Sequence, residues 1–434
     1  MNNRLILISV FLIINTSLIG IFFQSFSAVI LLLLLNLVIF IHLGKKSIDA
    51  ILLFNIGVLF AVFLLWYWEY FYGSSYYLGK MSDDWQYDVY WSQGYFETYG
   101  ISPLYLGEHL NKLERGLGLL HNSKGYVYIV TLFYGFGSVF DGYHTLLPRI
   151  FNIYLLVLIA IYTQKIFLEY SVNLKVSRKL LYFVFLYPVL LFISSHVFRD
   201  TLVGLLVILI VFYSIRLKNS KISVLFILLF MLSLLTLRTG AFLMMMLVIP
   251  IITLDKKLIY TFFPFIIFPT LITILYFKSG YLLDYTERSL STYDALNSER
   301  MGGIGQKIFD LPKYLGIIPR TVYLIFTPVP SFINFHQFFI SLSAVVKVLF
   351  FPFLFGSLLS PKIESKIKII FLLLFYGVAL STATFRHVTM FLPLGMLLVA
   401  LSIDKKLFSF LSNQYLLYML VLSFFVLISI VLIL

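Results

Sequence analysis

The chain has no cysteine, which excludes disulfides, thiolate metal centres and cysteine nucleophiles. It is also poor in charge: Asp, Glu, Lys and Arg make up 12% of 434 residues, against about 25% in soluble domains. Hydrophobic residues reach 61% and the mean hydropathy is +0.99, so a soluble fold is excluded. Alternating strands of about 10 residues, the mark of a membrane β-barrel, are absent too. No Walker A loop, nucleotide-binding glycine fingerprint or HExxH occurs, so ATP, nicotinamide and zinc-peptidase chemistry lack their markers. No soluble domain, linker, low-complexity tract or repeat of roughly 20–50 residues stands out.

What fills the chain is a series of apolar runs close to the roughly 20 residues that a bilayer crossing needs. They predict spans near residues 5–23, 26–43, 51–68, 148–164, 180–196, 201–216, 222–237, 240–253, 258–276, 337–359, 367–384, 387–402 and 413–434. The first run, after Arg4, lacks a small-x-small cleavage site and reads as a retained span rather than a secretory signal. The expectation is an all-α polytopic bundle of about 13 transmembrane helices, one integral-membrane domain over 1–434.

The net charge of +13 follows this topology rather than a nucleic-acid footprint. Lys45-Lys46, Lys165 to Lys179, Arg216 to Lys221, Lys256-Lys257 and Lys362 to Lys368 fall on one side, together with Arg4 and Lys405-Lys406. The positive-inside rule makes that side, and the amino terminus, cytoplasmic. A crossing by Tyr126–Phe140 or Val322–Phe335 would invert the later loops, so both are expected to lie in the interface or to re-enter from outside. Two long polar segments, 69–125 and 277–321, then face outward as the first and second external loops.

The first external loop carries the run KMSDDWQYDVYW, with Asp83, Asp84 and Asp88 among aromatics. Adjacent side chains diverge, so only one of Asp83 and Asp84 points into a given site. On a helix, Asp84, Asp88 and Trp91 share a face. Such carboxylates suit a general base for an acceptor hydroxyl, or Mg²⁺ or Mn²⁺ held with a phosphate; simple solvation of an external loop fits as well. Asp84 is the first choice for the base and Asp83 the second, with Asp88 as a further candidate.

Arginines recur at the external ends of the spans. Arg149 follows Pro148 at a helix start, where free amides and a guanidinium make an anion site; snorkelling to headgroups is the alternative. Arg199-Asp200, Arg238 and Arg386-His387 lie in three short turns too tight to reach far into solvent. Ionisable groups at such depth are paired or functional. Three arginines there make a basin for phosphate oxygens, which guanidinium groups bind through paired donors. Lys124, Asp200 and His387 are further candidates. No metal ligand set is predicted.

These motifs resemble the GT-C class of integral-membrane glycosyltransferases, which includes protein mannosyltransferases and bacterial lipid A aminoarabinose transferases. Met81 to Tyr87 (MSDDWQY) resembles the acidic motif of that class's first large external loop. Gly125 to Gly137 (GYVYIVTLFYGFG) and Leu147 to Asn152 (LPRIFN) resemble its interfacial segment and the following arginine-bearing helix. Phe198-Arg-Asp200 and Leu237 to Gly240 (LRTG) resemble charged turns of related bacterial proteins, and Phe385 to Pro393 (FRHVTMFLP) a late arginine–proline signature. Three spans precede the acidic loop where one is usual in that class.

The resemblance implies a bacterial cytoplasmic (inner) membrane enzyme of surface-polysaccharide assembly. Its partners would be a polyprenyl-phosphate- or pyrophosphate-linked sugar, a glycan or glycolipid acceptor and membrane lipids, with no nucleic acid. The lipid phosphate would rest against Arg149, Arg199, Arg238 or Arg386. A second resemblance is to Wzy-type O-antigen polymerases, which share external arginines without an acidic requirement. A lipid-linked oligosaccharide flippase or transporter would instead line a path with charges inside its spans, where only Lys347 lies.

Overall fold

The computed structural model describes residues 2–44, 47–73, 77–78, 82–113, 123–217, 220, 222–253, 308, 311, 313–326, 335–381, 385–407, 414–415 and 417–419. The expected span 258–276, most of the second external loop and most of the last expected span lie outside the described residues. Every described element is helical.

Three apolar helices come first: α1 (Asn2–Phe22), α2 (Phe26–Leu43) and α3 (Ser47–Tyr72). A layer of short elements follows: α4 (Asp83–Trp85), a π-helical segment (Gln86–Gln93), α5 (Gly94–Tyr99), α6 (Leu106–Leu113) and α7 (Lys124–Ser138). The chain continues through α8 (Leu146–Tyr170), α9 (Leu174–Phe185), α10 (Pro188–Ser194), α11 (Asp200–Arg216), α12 (Ile222–Leu237) and α13 (Thr239–Thr253). It ends, as described, with α14 (Lys313–Phe326), α15 (Phe335–Leu359), α16 (Ser365–Ser381), a 3₁₀ segment (Phe385–Met390) and α17 (Leu392–Asp404).

Five of these helices, α1, α2, α3, α8 and α15, are long and apolar enough to cross a membrane, and a sixth span results if the bent pair α9–α10 counts as one. Among the shorter ones, α12, α13 and α17 are apolar as well. The core is built on α8 and α11, which are apolar on all sides and buried over most of their length, as a helix without a polar face must be. By contrast α1 and α2 expose Ile6, Ile13, Ile21, Phe40 and Ile41, the kind of surface a lipid phase covers.

Where one apolar run was expected over 180–196, the chain bends by 53° between α9 and α10. Pro188 has no N–H and drives Tyr187 into an extended conformation, which stops α9. The Val189 amide freed by the break donates to Ser343 Oγ at 2.7 Å, and Tyr187 Oη donates to the Ser343 carbonyl at 3.0 Å. The run expected over 387–402 likewise resolves into the 3₁₀ segment and α17, so Arg386 and His387 stand outside the apolar helix.

Polar contacts gather at two opposite ends of the bundle. At one, Asp49 accepts from Arg4 (2.5 Å), Arg178 (2.8 and 2.9 Å) and Tyr182 (2.9 Å), Arg216 pairs with Glu169 at 2.7 Å, and Ser171 and Asn173 donate to Asp404. At the other, Asp141 caps α2 by accepting the Phe26 and Ser27 amides. Both ends of α7 lie there: Ser123 before it contacts Arg199, and Asp141 after it holds α2. The Tyr126–Phe140 run therefore does not cross the bundle; α7 packs on the π-helical segment and on the end of α12.

A candidate functional site at one end of the bundle

The site starts from the break at Pro188. Because α10 stops at Ser194, residues 195–199 turn inside the bundle, and their carbonyls need donors there. Those donors come from the first turns of α8: Arg149 Nη1 donates to the Ser195 carbonyl at 2.9 Å, and Asn152 Nδ2 to the His196 and Phe198 carbonyls at 2.8 and 3.0 Å. Arg149 is fully buried, and its guanidinium also lies 5.9 Å from the Tyr77 ring centre.

The acidic loop docks on this frame. Asp84 and Asp88 are fully buried, with Trp91 and Tyr87 on the same inward side. Asp84 accepts from Ser82 Oγ, from the Leu78 amide at 3.2 Å and from the Trp85 amide at 3.1 Å. Asp88 is gripped by tyrosines: Tyr77 donates at 2.9 Å, Tyr134 at 3.3 Å, and Tyr143 directly. Tyr134 and Tyr143 stack with ring centres 3.6 Å apart. Burial pushes both carboxyls above the ordinary carboxylate range; the Arg149 charge and the hydrogen bonds pull the other way and only partly offset it.

Asp83 points elsewhere. Its side chain is 36% exposed and pairs with Arg386 Nη2 at 2.5 Å. The Arg386 side chain is 13% exposed, and its guanidinium lies 4.7 Å from the Phe198 ring centre, a cation–π arrangement. Beside it, Asp200 at the head of α11 accepts from Arg238 at 3.0 Å, and His387 Nε2 lies 3.6 Å from the same oxygen. Burial holds the His387 imidazole well below its ordinary value, and the charges of Arg238, Arg386 and Arg199 add to this, so it is neutral at pH 7. Arg199 donates to Ser123 Oγ and to the Leu237 carbonyl at 3.2 Å; Ser123 Oγ in turn lies 2.9 Å from Tyr87 Oη.

The residues singled out in the sequence thus come together from segments up to 303 positions apart, in two layers. Asp83, Arg386 and Arg238 keep some exposure, while Asp84, Asp88, Arg149 and Arg199 form the buried support beneath them. Of the two adjacent aspartates, Asp83 is the one solvent reaches, because Asp84 turns inward to accept the Leu78 and Trp85 amides and the Ser82 hydroxyl. Lys124 stands apart: its ammonium lies beside Gly107 of α6 and makes no ion pair among the described residues. Also among the described residues, no three His, Asp or Glu side chains gather as metal ligands.

Tyr77, Ser123, Tyr134 and Tyr143 belong to the site but carried no functional signal in the sequence. A lone tyrosine or serine in an aromatic-rich loop is unremarked until its partner is known. The close approach of α11 to the 3₁₀ segment also holds the site together. A Cβ on Gly204 would lie 2.9 Å from the Thr389 carbonyl oxygen, so only glycine lets Asp200 and His387 meet without a shift.

Fold and site together define a class, an all-helical protein with membrane-length apolar helices and a buried ionic cluster at one end. The chain matches no described protein family, no curated protein and no solved structure.

Proposed function

We propose that this chain is an integral-membrane glycosyltransferase of bacterial surface-polysaccharide assembly. It moves a sugar from a polyprenyl-phosphate-linked donor to a glycan or glycolipid acceptor at the outer face of the cytoplasmic membrane. About 13 crossings, with the lysine-rich end in the cytoplasm, would put the cluster on that face. The observation that carries the reading is the partly exposed Asp83 carboxylate beside Arg386, with Arg238 and Arg199 in the same cluster.

In this reading Arg386 and Arg238 take the lipid phosphate, and the acceptor hydroxyl lies against Asp83. The hydroxyl oxygen attacks the anomeric carbon, its proton passes to the Asp83 carboxylate, and the bond from that carbon to the phosphate oxygen breaks. The electron pair leaves with the polyprenyl phosphate, whose growing charge the guanidinium groups meet. Mg²⁺ or Mn²⁺ held with the phosphate is the alternative counter-charge.

A second reading is a Wzy-type repeat-unit polymerase, favoured by the fact that Asp84 and Asp88 are satisfied by protein donors and Asp83 by Arg386, as suits a site whose carboxylates hold the structure rather than act as a base. The test is transfer by the purified protein in liposomes containing metabolically labelled lipid-linked sugars from the source cell. Transfer of single labelled sugars with release of polyprenyl phosphate supports the transferase. Linkage of whole repeats supports the polymerase, and no transfer of label removes both.

A further inference from the structure

Resting on the glycosyl-transfer reading, we propose that a phosphate anion and the Asp83 carboxylate are alternative partners of the Arg386 guanidinium, so that anion binding is what releases Asp83. The base is parked until the phosphate arrives, and the donor must bind before the acceptor is activated.

Several observations point the same way. The Arg386 side chain is 13% exposed and its guanidinium is paired with the more exposed Asp83, so a ligand that binds this guanidinium competes with that carboxylate. Asp83 is the most exposed of the site's carboxylates, so water readily receives it once displaced. Asp200, the other carboxylate nearby, accepts from Arg238 and faces His387, and cannot replace Asp83 without abandoning them. A phosphate oxyanion offers a guanidinium the same paired, charge-assisted acceptors that the Asp83 carboxylate now gives Arg386, so the one can take the place of the other. The Phe198 ring, its centre 4.7 Å from the Arg386 guanidinium, gives that group a contact independent of Asp83 that helps keep it in place when one oxyanion is exchanged for another.

The exchange makes a prediction of unusual sign. Removing a catalytic or structural carboxylate ordinarily leaves ligand affinity unchanged or weakens it, whereas removing a competitor strengthens it. The experiment measures binding of polyprenyl phosphate, and separately of inorganic phosphate, to the full chain in phosphatidylcholine nanodiscs. Wild type, Asp83→Asn, Asp83→Ser and Arg386→Gln are compared, each checked for helicity and a monodisperse profile. Both Asp83 variants are expected to bind the anion about 3- to 30-fold more tightly than wild type, with Arg386→Gln at least 10-fold weaker. Equal or weaker binding by both Asp83 variants overturns the exchange while leaving the transferase reading standing. Tightening towards inorganic phosphate alone, with no binding of polyprenyl phosphate by any form, upholds the exchange and removes the lipid-linked donor. Failure of every form to bind either probe overturns both.

Discussion

Asp83 and Arg386, 303 positions apart, are joined by an ion pair where the buried charge cluster meets solvent. The acidic segment and the 3₁₀ segment are thereby fixed to each other, while the neighbouring Asp84 and Asp88 hold the acidic segment from beneath. On the proposed function, side chains of this chain divide into those that would meet the ligand and those that keep the first group in place.

Asp88 belongs to the second group. Asp88→Ala removes the carboxylate that Tyr77 and Tyr143 donate to, while Tyr134 keeps the residue 88 carbonyl at 3.1 Å, and a buried hydrogen bond lost in this way costs about 1 kcal/mol or more. The expected outcome is a loss of about 2–4 kcal/mol, seen as a lower thermal midpoint in detergent and faster proteolysis between residues 94 and 113. Asp88→Asn, which still accepts, is expected to lose less than half as much.

Gly204→Ala tests how the site is assembled. The new methyl would meet the Thr389 carbonyl and push the 3₁₀ segment off α11, separating His387 from Asp200 and Arg386 from Asp83. Transfer activity is expected to fall at least tenfold while membrane insertion is unchanged. Full activity in a correctly inserted Gly204→Ala protein would show that this contact does not position Arg386.

The raised carboxyls give the stability a pH dependence. Between the ordinary value of 3.8 and their raised values, Asp84 and Asp88 hold protons in the folded chain that the unfolded chain has shed. Their contribution is complete below that window and is lost as pH rises through it. His387, held low, acts oppositely: its contribution is complete above its ordinary 6.5 and is lost as pH falls below that. Thermal midpoints across pH 4–8 are expected to fall less steeply on the alkaline side in Asp88→Asn than in wild type, and less steeply on the acid side in His387→Gln.

The absence of cysteine makes sidedness directly measurable. Leu104, 82% exposed beyond α5, and Val172, 93% exposed between α8 and α9, lie at opposite ends of the bundle. A membrane-impermeant maleimide is expected to label Leu104→Cys in intact spheroplasts and Val172→Cys only after lysis. The reverse pattern would put the charge cluster in the cytoplasm.

Much of the helical frame was legible in the sequence, because an apolar run between basic loops marks its own ends. The helices over 26–43 and 222–237 have the expected bounds, and α11 and α13 begin one residue early. The break before Pro188 was not foreseen, since the residues around it are as apolar as those of an unbroken helix and only the proline marks it. The meeting of acidic loop and arginine turns could be anticipated from their shared parity. Which neighbour of the Asp83–Asp84 pair faces outward could not, because that depends on the tertiary partners Arg386 and the Leu78 amide. The tyrosine grip on Asp88 was invisible for the same reason: Tyr134 is brought to it by the packing of α7 and Tyr143 by the turn after α7.

The most direct test compares surface glycans of the source cell, by gel ladder and mass spectrometry, after deleting the gene and restoring it as wild type, Asp83→Asn or Asp84→Asn. The account predicts a glycan short by one sugar, restored by wild type and not by Asp83→Asn, with all three proteins equally abundant in the membrane. Glycans unchanged by the deletion, or fully restored by Asp83→Asn, would contradict it.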